Sequence, residues 1–293
     1  MAQQKIQLRK IRDFGENLGD TFQFIRQEFK PLASAFILIS GIFILSSSIL
    51  GGLYQKQAFG FLDDLKTGTV APQNTFSNIF TAGYFIFILV TVLNISAMRT
   101  VIAVYMKLYD ELDEPPTLQQ VWSLFAKNFF KIFAYSIPQF ILIVIGCLFC
   151  LAPGIYFMVV LMPYPFVIVN ENQSFGDAFS RCINITKENF WISLGTYFIA
   201  YLIYSISSGI IGVIVAGVVG VGSYFSTNEI SSTAAIATSV LSVVQYVFYI
   251  VFFVSVGLQY YNLAELKDGT GLERRLANLG GSANSNAGIE EQY

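Results

Sequence analysis

No charged side chain interrupts the run from Leu32 to Tyr54, and about 20 apolar residues are enough for a helix to cross a bilayer. Comparable runs come after it. The second extends from Ile79 to Ala97 and stops near Arg99. A long uncharged block from Ile132 to Val169 contains Leu151-Ala152-Pro153-Gly154, a turn signal that splits it into a third and a fourth span. A fifth lies within Phe190 to Gly222, a stretch too long for one upright helix, so its start is expected along the surface. The sixth runs from Val240 to Asn262. Only 12% of the residues are charged, against roughly 25% in a soluble domain. The expected fold is all-α: a polytopic integral membrane protein with six transmembrane helices.

Six spans put both termini on one side. Lys5, Arg9, Lys10, Arg12, Arg26 and Lys30 precede the first span, and Lys267, Arg274 and Arg275 come after the last. The second-to-third and fourth-to-fifth connections carry the other basic residues of that side. Only Lys56 and Lys66 fall opposite. The positive-inside rule therefore predicts cytoplasmic termini. The first run is as long as a full span and is preceded by some thirty residues, so it is expected to anchor rather than to be cleaved. Three regions result: a basic arm and surface helix over 1–31, a membrane domain over 32–263 and a cytoplasmic tail over 264–293. In the tail, Leu272, Leu276 and Leu279 have helical spacing. The end from Ser282 is rich in Asn, Ser and Gly and is expected to be disordered.

The connections on the basic side share a pattern. Asp13-Phe14-Gly15-Glu16, Thr117-Leu118-Gln119-Gln120 and Ser174-Phe175-Gly176-Asp177 each have capping-box spacing, the third with Asp in the last place. Aligned on these caps, Leu18, Trp122 and Phe179 coincide, as do Phe29, Phe133 and Phe190. Phe22 and Ile25, Phe129, and Ile183 fall on the same helical face. Glu16, Asp20, Gln23, Gln120, Lys127, Asp177, Arg181 and Asn184 fall on the other. Each unit reads as an amphipathic helix at the inner surface leading into two spans, a possible threefold repeat. Phe14, Leu18, Phe22, Trp122, Phe129, Phe179, Phe190 and Trp191 are the expected interfacial anchors. An aromatic-rich chain can also produce such coincidences without a repeat.

Leu151-Ala-Pro-Gly-Ile-Tyr-Phe-Met158, Pro165-Phe-Val-Ile-Val-Asn-Glu171, Ala178-Phe-Ser-Arg181 and Asn184-Ile-Thr-Lys-Glu-Asn-Phe-Trp191 resemble the membrane domain that precedes some bacterial glycerophosphodiester phosphodiesterases. The stretch from Tyr260 to Arg274 resembles the close of related stand-alone, uncharacterised bacterial membrane proteins. The resemblance covers about half the chain. It implies a six-span fold with interfacial helices in a bacterial cytoplasmic membrane. It implies no phosphodiesterase activity, because the catalytic domain and its metal-binding His and Glu residues have no counterpart.

The chain has no histidine. That removes His-ligated zinc, His-ligated haem or iron, and Ser-His or Cys-His catalytic pairs. No cofactor or metal is expected, and a net charge of −2 gives no footprint for nucleic acid. Ionisable groups inside a membrane usually mark function, and Arg99 is the one candidate, read as a snorkelling anchor or as a pore or packing residue. Asn94, Gln139, Gln245 and Gln259 suit interhelical hydrogen bonds. Cys147-Leu-Phe-Cys150 matches a redox spacing without its usual helix-and-sheet context, so these residues and Cys182 are read as packing residues. Asp110 to Pro116 reads as a stiff acidic linker, and Phe59 to Lys66 as a short outer surface helix. Ser208, Gly212, Ala216 and Gly220 form a small-residue stripe where another helix, in this chain or a second copy, could approach closely. Pro163 and Pro165 predict a kink or break in the fourth span, read as structural for want of a nearby charge.

The leading functional expectation is a non-catalytic membrane accessory or scaffold that organises lipid or docks partners. Its partners would be membrane lipids and other membrane subunits or a second copy. A transporter or channel component is the alternative. A lipid-modifying enzyme using Glu171 and Arg181 is the third.

Overall fold

The computed structural model describes residues 5–67, 81–225, 230–271 and 273, with side-chain surroundings for all of these except 56–67, 216, 219–225 and 230–235. The helices in chain order are α1 (Phe14–Thr67), α2 (Ala82–Glu111), α3 (Leu118–Phe149), α4 (Leu151–Val160), α5 (Tyr164–Glu171), α6 (Phe175–Thr186), α7 (Phe190–Phe225) and α8 (Ile230–Asp268). A short 3-10 turn, Lys187–Asn189, joins α6 to α7. The described residues are 89% helical and contain no strand. Six stretches are long and apolar enough to cross a membrane: Phe14–Gln55, Ala82–Glu111, Leu118–Phe149, Leu151–Glu171, Phe175–Val215 and Ile236–Asp268. The chain is built as a multi-pass membrane protein.

Each capping sequence starts its helix. Asp13 Oδ1 accepts from the Glu16 amide at 2.7 Å, and Glu16 Oε2 accepts from the Asp13 amide at 3.4 Å. Thr117 and Gln120 make the same reciprocal pair ahead of α3. Ser174 Oγ accepts from the Asp177 amide at 3.5 Å ahead of α6. Beyond the caps the three segments diverge. In α1 the backbone leaves helical geometry at Glu28, because Pro31 lacks a donor and crowds the preceding turn. After α6 the 3-10 turn intervenes, ending at the equivalent offset from its cap. In α3 there is no break: surface segment and third span form one helix.

The second span does not stop near Arg99. It continues to Glu111, and Val101 to Met106 are buried on every side. A helix that is apolar all round belongs inside a bundle, and α1, α3, α5 and α8 enclose it. The outer faces of α3 and α7 carry Leu148, Phe149 and Val213, all more than 70% exposed. Such exposed apolar area suits a lipid environment rather than water.

The third and fourth spans turn at the single residue Cys150, and Leu151 to Gly154 form the first turn of α4. The hairpin is tight: a Cβ on Gly146 would lie 2.8 Å from the backbone nitrogen of Gly154. Phe59 to Lys66 continue α1 rather than forming a separate helix. Leu276, Leu279 and Ser282 to Tyr293 lie outside the described residues, as do Leu272 and most of the outer loop.

Candidate functional site

The break in the fourth span begins with two missing donors. In a continuous helix the carbonyl of Val159 would accept from residue 163 and that of Leu161 from residue 165. Both positions are proline. Val159 accepts instead from the Met162 amide at 3.3 Å. Leu161 retains only a long bond from the Tyr164 amide, at 3.4 Å. The remaining capacity of the Leu161 oxygen is met by Gln139 Nε2 of α3, at 3.1 Å. Fixing the Gln139 amide this way presents its oxygen to α2, where Arg99 Nη1 donates to it at 3.2 Å.

The break and the arginine are therefore one site, and the fourth-span kink does have a charge beside it. Arg99 lies about 12 Å along α2 from Lys107 at 1.5 Å per residue, within a helix long and apolar enough to cross a membrane. Its guanidinium carbon is 5.6 Å from the Phe253 ring centroid. Its Nε is buried with no hydrogen-bond partner. Among the described residues no carboxylate pairs with it. Beside it, Ser96, Ser136 and Tyr164 connect α2, α3 and α5 at 2.9 and 2.6 Å. Asn94 is fully buried with both amide atoms unpartnered.

Two cavities meet at Arg99. A cavity of about 380 Å³ lies among α2, α4, α7 and α8 and is walled largely by aromatic and aliphatic side chains. A smaller one, about 120 Å³, lies toward α3 and includes Gln139. Arg99, Ile95, Met158 and Met162 line both.

The other polar cluster closes the charged end of the bundle. Arg181 Nε donates to Glu171 at 3.0 Å, and Arg181 Nη1 donates to Asp268 at 3.2 Å, with Nη2 also bonded to Asp268. Tyr260 and Gln173 donate to the same Glu171 carboxylate at 3.0 and 2.9 Å. Glu171 and Arg181 thus tie α5, α6 and α8 together, and the carboxylate is occupied by structural donors.

The basic arm joins this end, a contact that its sequence did not reveal. The Ile6 amide donates to Tyr109 at 3.0 Å, and Arg9 bonds Asp110 and Thr270, each at 3.0 Å. Burial alone would lower the Arg9 pKa, but the hydrogen bond and charge of Asp110 outweigh it and the net shift is upward. The Arg12 amide donates to Asn262 at 2.9 Å, and Arg12 Nε pairs with Asp20 at 2.7 Å. Ile6, Leu8 and Arg12 are buried. Two carboxyl residues are buried at this end as well. Glu28 accepts from Tyr105 at 2.6 Å, and Glu265 accepts from the Gly271 amide at 2.7 Å.

The remaining candidates divide. Phe14, Phe22, Trp122 and Trp191 are exposed, and Leu18, Phe179 and Phe190 are half-buried. Phe129 is buried against Phe43 and Phe125, so it is a core residue. The core-facing positions of the three capped segments lie one residue away from the expected face: Asn17, Val121 and Ala178, then Thr21, Phe125 and Cys182. Cys182 is a buried free thiol, Cys147 is exposed with its sulfur against Gly154 in the hairpin, and Cys150 is an exposed free thiol.

In the small-residue stripe, Ser208 is buried and bonds the Ser205 carbonyl. A Cβ on Gly212 would lie 3.7 Å from the Leu241 side chain, an ordinary contact, and would meet no backbone of another helix within 4 Å. The side-chain surroundings of Ala216 and Gly220 lie outside the described set. Gln259 bonds Asn17 and Ser193, each at 3.1 Å, as an interhelical residue should. Comparison with protein-family models, with curated proteins and with solved structures finds no match.

Proposed function

We propose that the protein is a non-catalytic accessory of a bacterial cytoplasmic membrane, with both termini in the cytoplasm, that organises the lipid around it through its capped surface helices. The observation that carries this reading is positional. Phe14, Leu118 and Phe175 each sit directly after a capping residue, and all three are about 40% exposed. Further exposed apolar side chains, Phe22 and Trp122, share these helices with exposed Glu16, Gln23, Gln120 and Lys127. Helices with apolar and charged outer faces lie stably at a headgroup boundary, where each large apolar side chain contributes roughly 1.5–3 kcal/mol on leaving water.

Trp122 and Trp191 are the only tryptophans, which makes the test direct. In the full-length protein in vesicles, the single-tryptophan forms Trp122→Phe and Trp191→Phe should both be quenched more by lipids spin-labelled near the headgroup than by lipids labelled at the chain end. Preferential quenching at the chain end, or by an aqueous quencher, would place the surface helices away from the headgroup boundary and end this reading. Orientation is tested by thiol labelling of intact cells with the native cysteines replaced. Thr75→Cys should react and Asp113→Cys should not; the opposite pattern reverses the topology.

A transporter or channel component is the second reading. It is favoured by one observation, the proline break of the fourth span beside a half-buried arginine, since transporters use broken helices to line sites.

A further inference from the structure

We propose that the larger cavity at Arg99 is a binding site for a single-chain anionic amphiphile, entered from the lipid, with Arg99 holding its charged head. This goes beyond the surface-helix reading and does not depend on it. The site rests on three features.

The first is charge. The half-buried Arg99 guanidinium sits within the candidate span α2 with an amide oxygen, the Tyr164 hydroxyl and a phenyl face as its partners. A charge in such surroundings is costly unless paired, and the protein supplies no carboxylate there among the described residues. An anion entering the cavity completes the pair.

The second is the unused capacity of that charge. Arg99 lines the cavity, and its Nη1 is taken by Gln139 while its Nε has no partner. A guanidinium with donors to spare suits a carboxylate or a phosphate.

The third is the wall. Leu194, Phe252 and Phe253 face the same space, which offers an acyl chain apolar contact. Phe198, Tyr201 and Met158 line the cavity and are also exposed on the apolar outer surface. The cavity therefore opens onto the apolar outer surface, which suits a ligand that arrives with its chain in the bilayer. At about 380 Å³ the cavity is near the small end of the roughly 300–1,000 Å³ usual for ligand pockets, favouring one chain over two.

The test uses the full chain, delipidated in a neutral detergent, with bound ligand counted by native mass spectrometry. Oleic acid, oleyl phosphate and oleyl alcohol share one tail and differ in the head. Oleic acid should bind once per chain and roughly tenfold or more tighter than the alcohol, the scale of charge-assisted hydrogen bonds. Arg99→Gln should erase that preference, and Arg99→Lys should keep part of it. Leu194→Trp, which fills the wall, should weaken the acid and the alcohol alike. It carries the test if Arg99→Gln does not elute as a folded protein.

Binding of oleyl phosphate without oleic acid would support the anion site and assign the head to a lysolipid phosphate. Equal binding of acid and alcohol to the parent protein would overturn the proposal. So would undiminished acid binding by folded Arg99→Gln or Leu194→Trp, or binding of dioleoylphosphatidic acid alone. Failure here leaves the tryptophan-quenching result standing, and the reverse also holds.

Discussion

Arg12 and Arg99 both reach into the bundle, the first buried and the second half-buried, and their surroundings are opposites. The Arg12 side chain is fully buried at the charged end, where Asp20 lies 2.7 Å from Nε and the carbonyls of Leu8 and Lys10 accept from Nη1. The charge is neutralised and most of its donors are used. Arg99 is half-buried and has an amide oxygen, the Tyr164 hydroxyl, a ring face and an unpartnered Nε, with a cavity on either side and no carboxylate among the described residues. A buried charge that the fold fully pairs is a fastening. A half-buried one left without a counter-charge next to open space is available to something else.

The sharpest way to break this contrast is Arg12→Met. It removes the ion pair and the bonds that hold the arm's turn, while Asp20 keeps some contact with solvent. Breaking a buried pair costs roughly 3–5 kcal/mol, and the partial exposure of Asp20 places this variant near the lower value. Thermal unfolding in detergent should show a large loss, together with new protease sensitivity in the arm. An unchanged midpoint would mean that the arm is not a fastening.

Gln139→Leu comes next. It leaves the Leu161 carbonyl and Arg99 without their shared partner, at a cost of roughly 1–3 kcal/mol for the stranded groups. The same unfolding assay reads it. A neutral result would show that the proline break satisfies its own backbone and that Gln139 is not what links break to charge.

Arg99→Gln should have the smallest effect. Replacing a half-buried charge that has no counter-ion by a neutral amide removes its desolvation cost together with its bond to Gln139, two effects of opposite sign. A change within about 1 kcal/mol in either direction is expected, with folding retained while ligand preference is lost. A loss as large as that of Arg12→Met would make the two arginines alike and end the comparison.

Much of this architecture was legible in the chain because its causes are local. Leu32 to Tyr54 must leave water wherever it sits. Asp13, Thr117 and Ser174 cap because their side chains reach an amide three residues on. Pro163 and Pro165 break a helix because they carry no amide hydrogen. Phe129 shows where local periodicity fails: apolar spacing marks a face without saying whether lipid or protein covers it. Phe43, distant in sequence, decides that.

The same limit hid the candidate site. From the sequence, Arg99 ended a span, Gln139 was one of several polar residues and the prolines were a kink. Nothing in their spacing joins them, because they belong to three different spans. Composition, periodicity and proline chemistry determined that this is a helical chain with six stretches able to cross a membrane, three capped segments and a break in the fourth stretch. Which helix faces which was left to packing. Only that packing brought the orphaned Leu161 carbonyl, the Gln139 amide and the Arg99 charge within hydrogen-bond reach, and threaded the basic arm between the ends of α2 and α8.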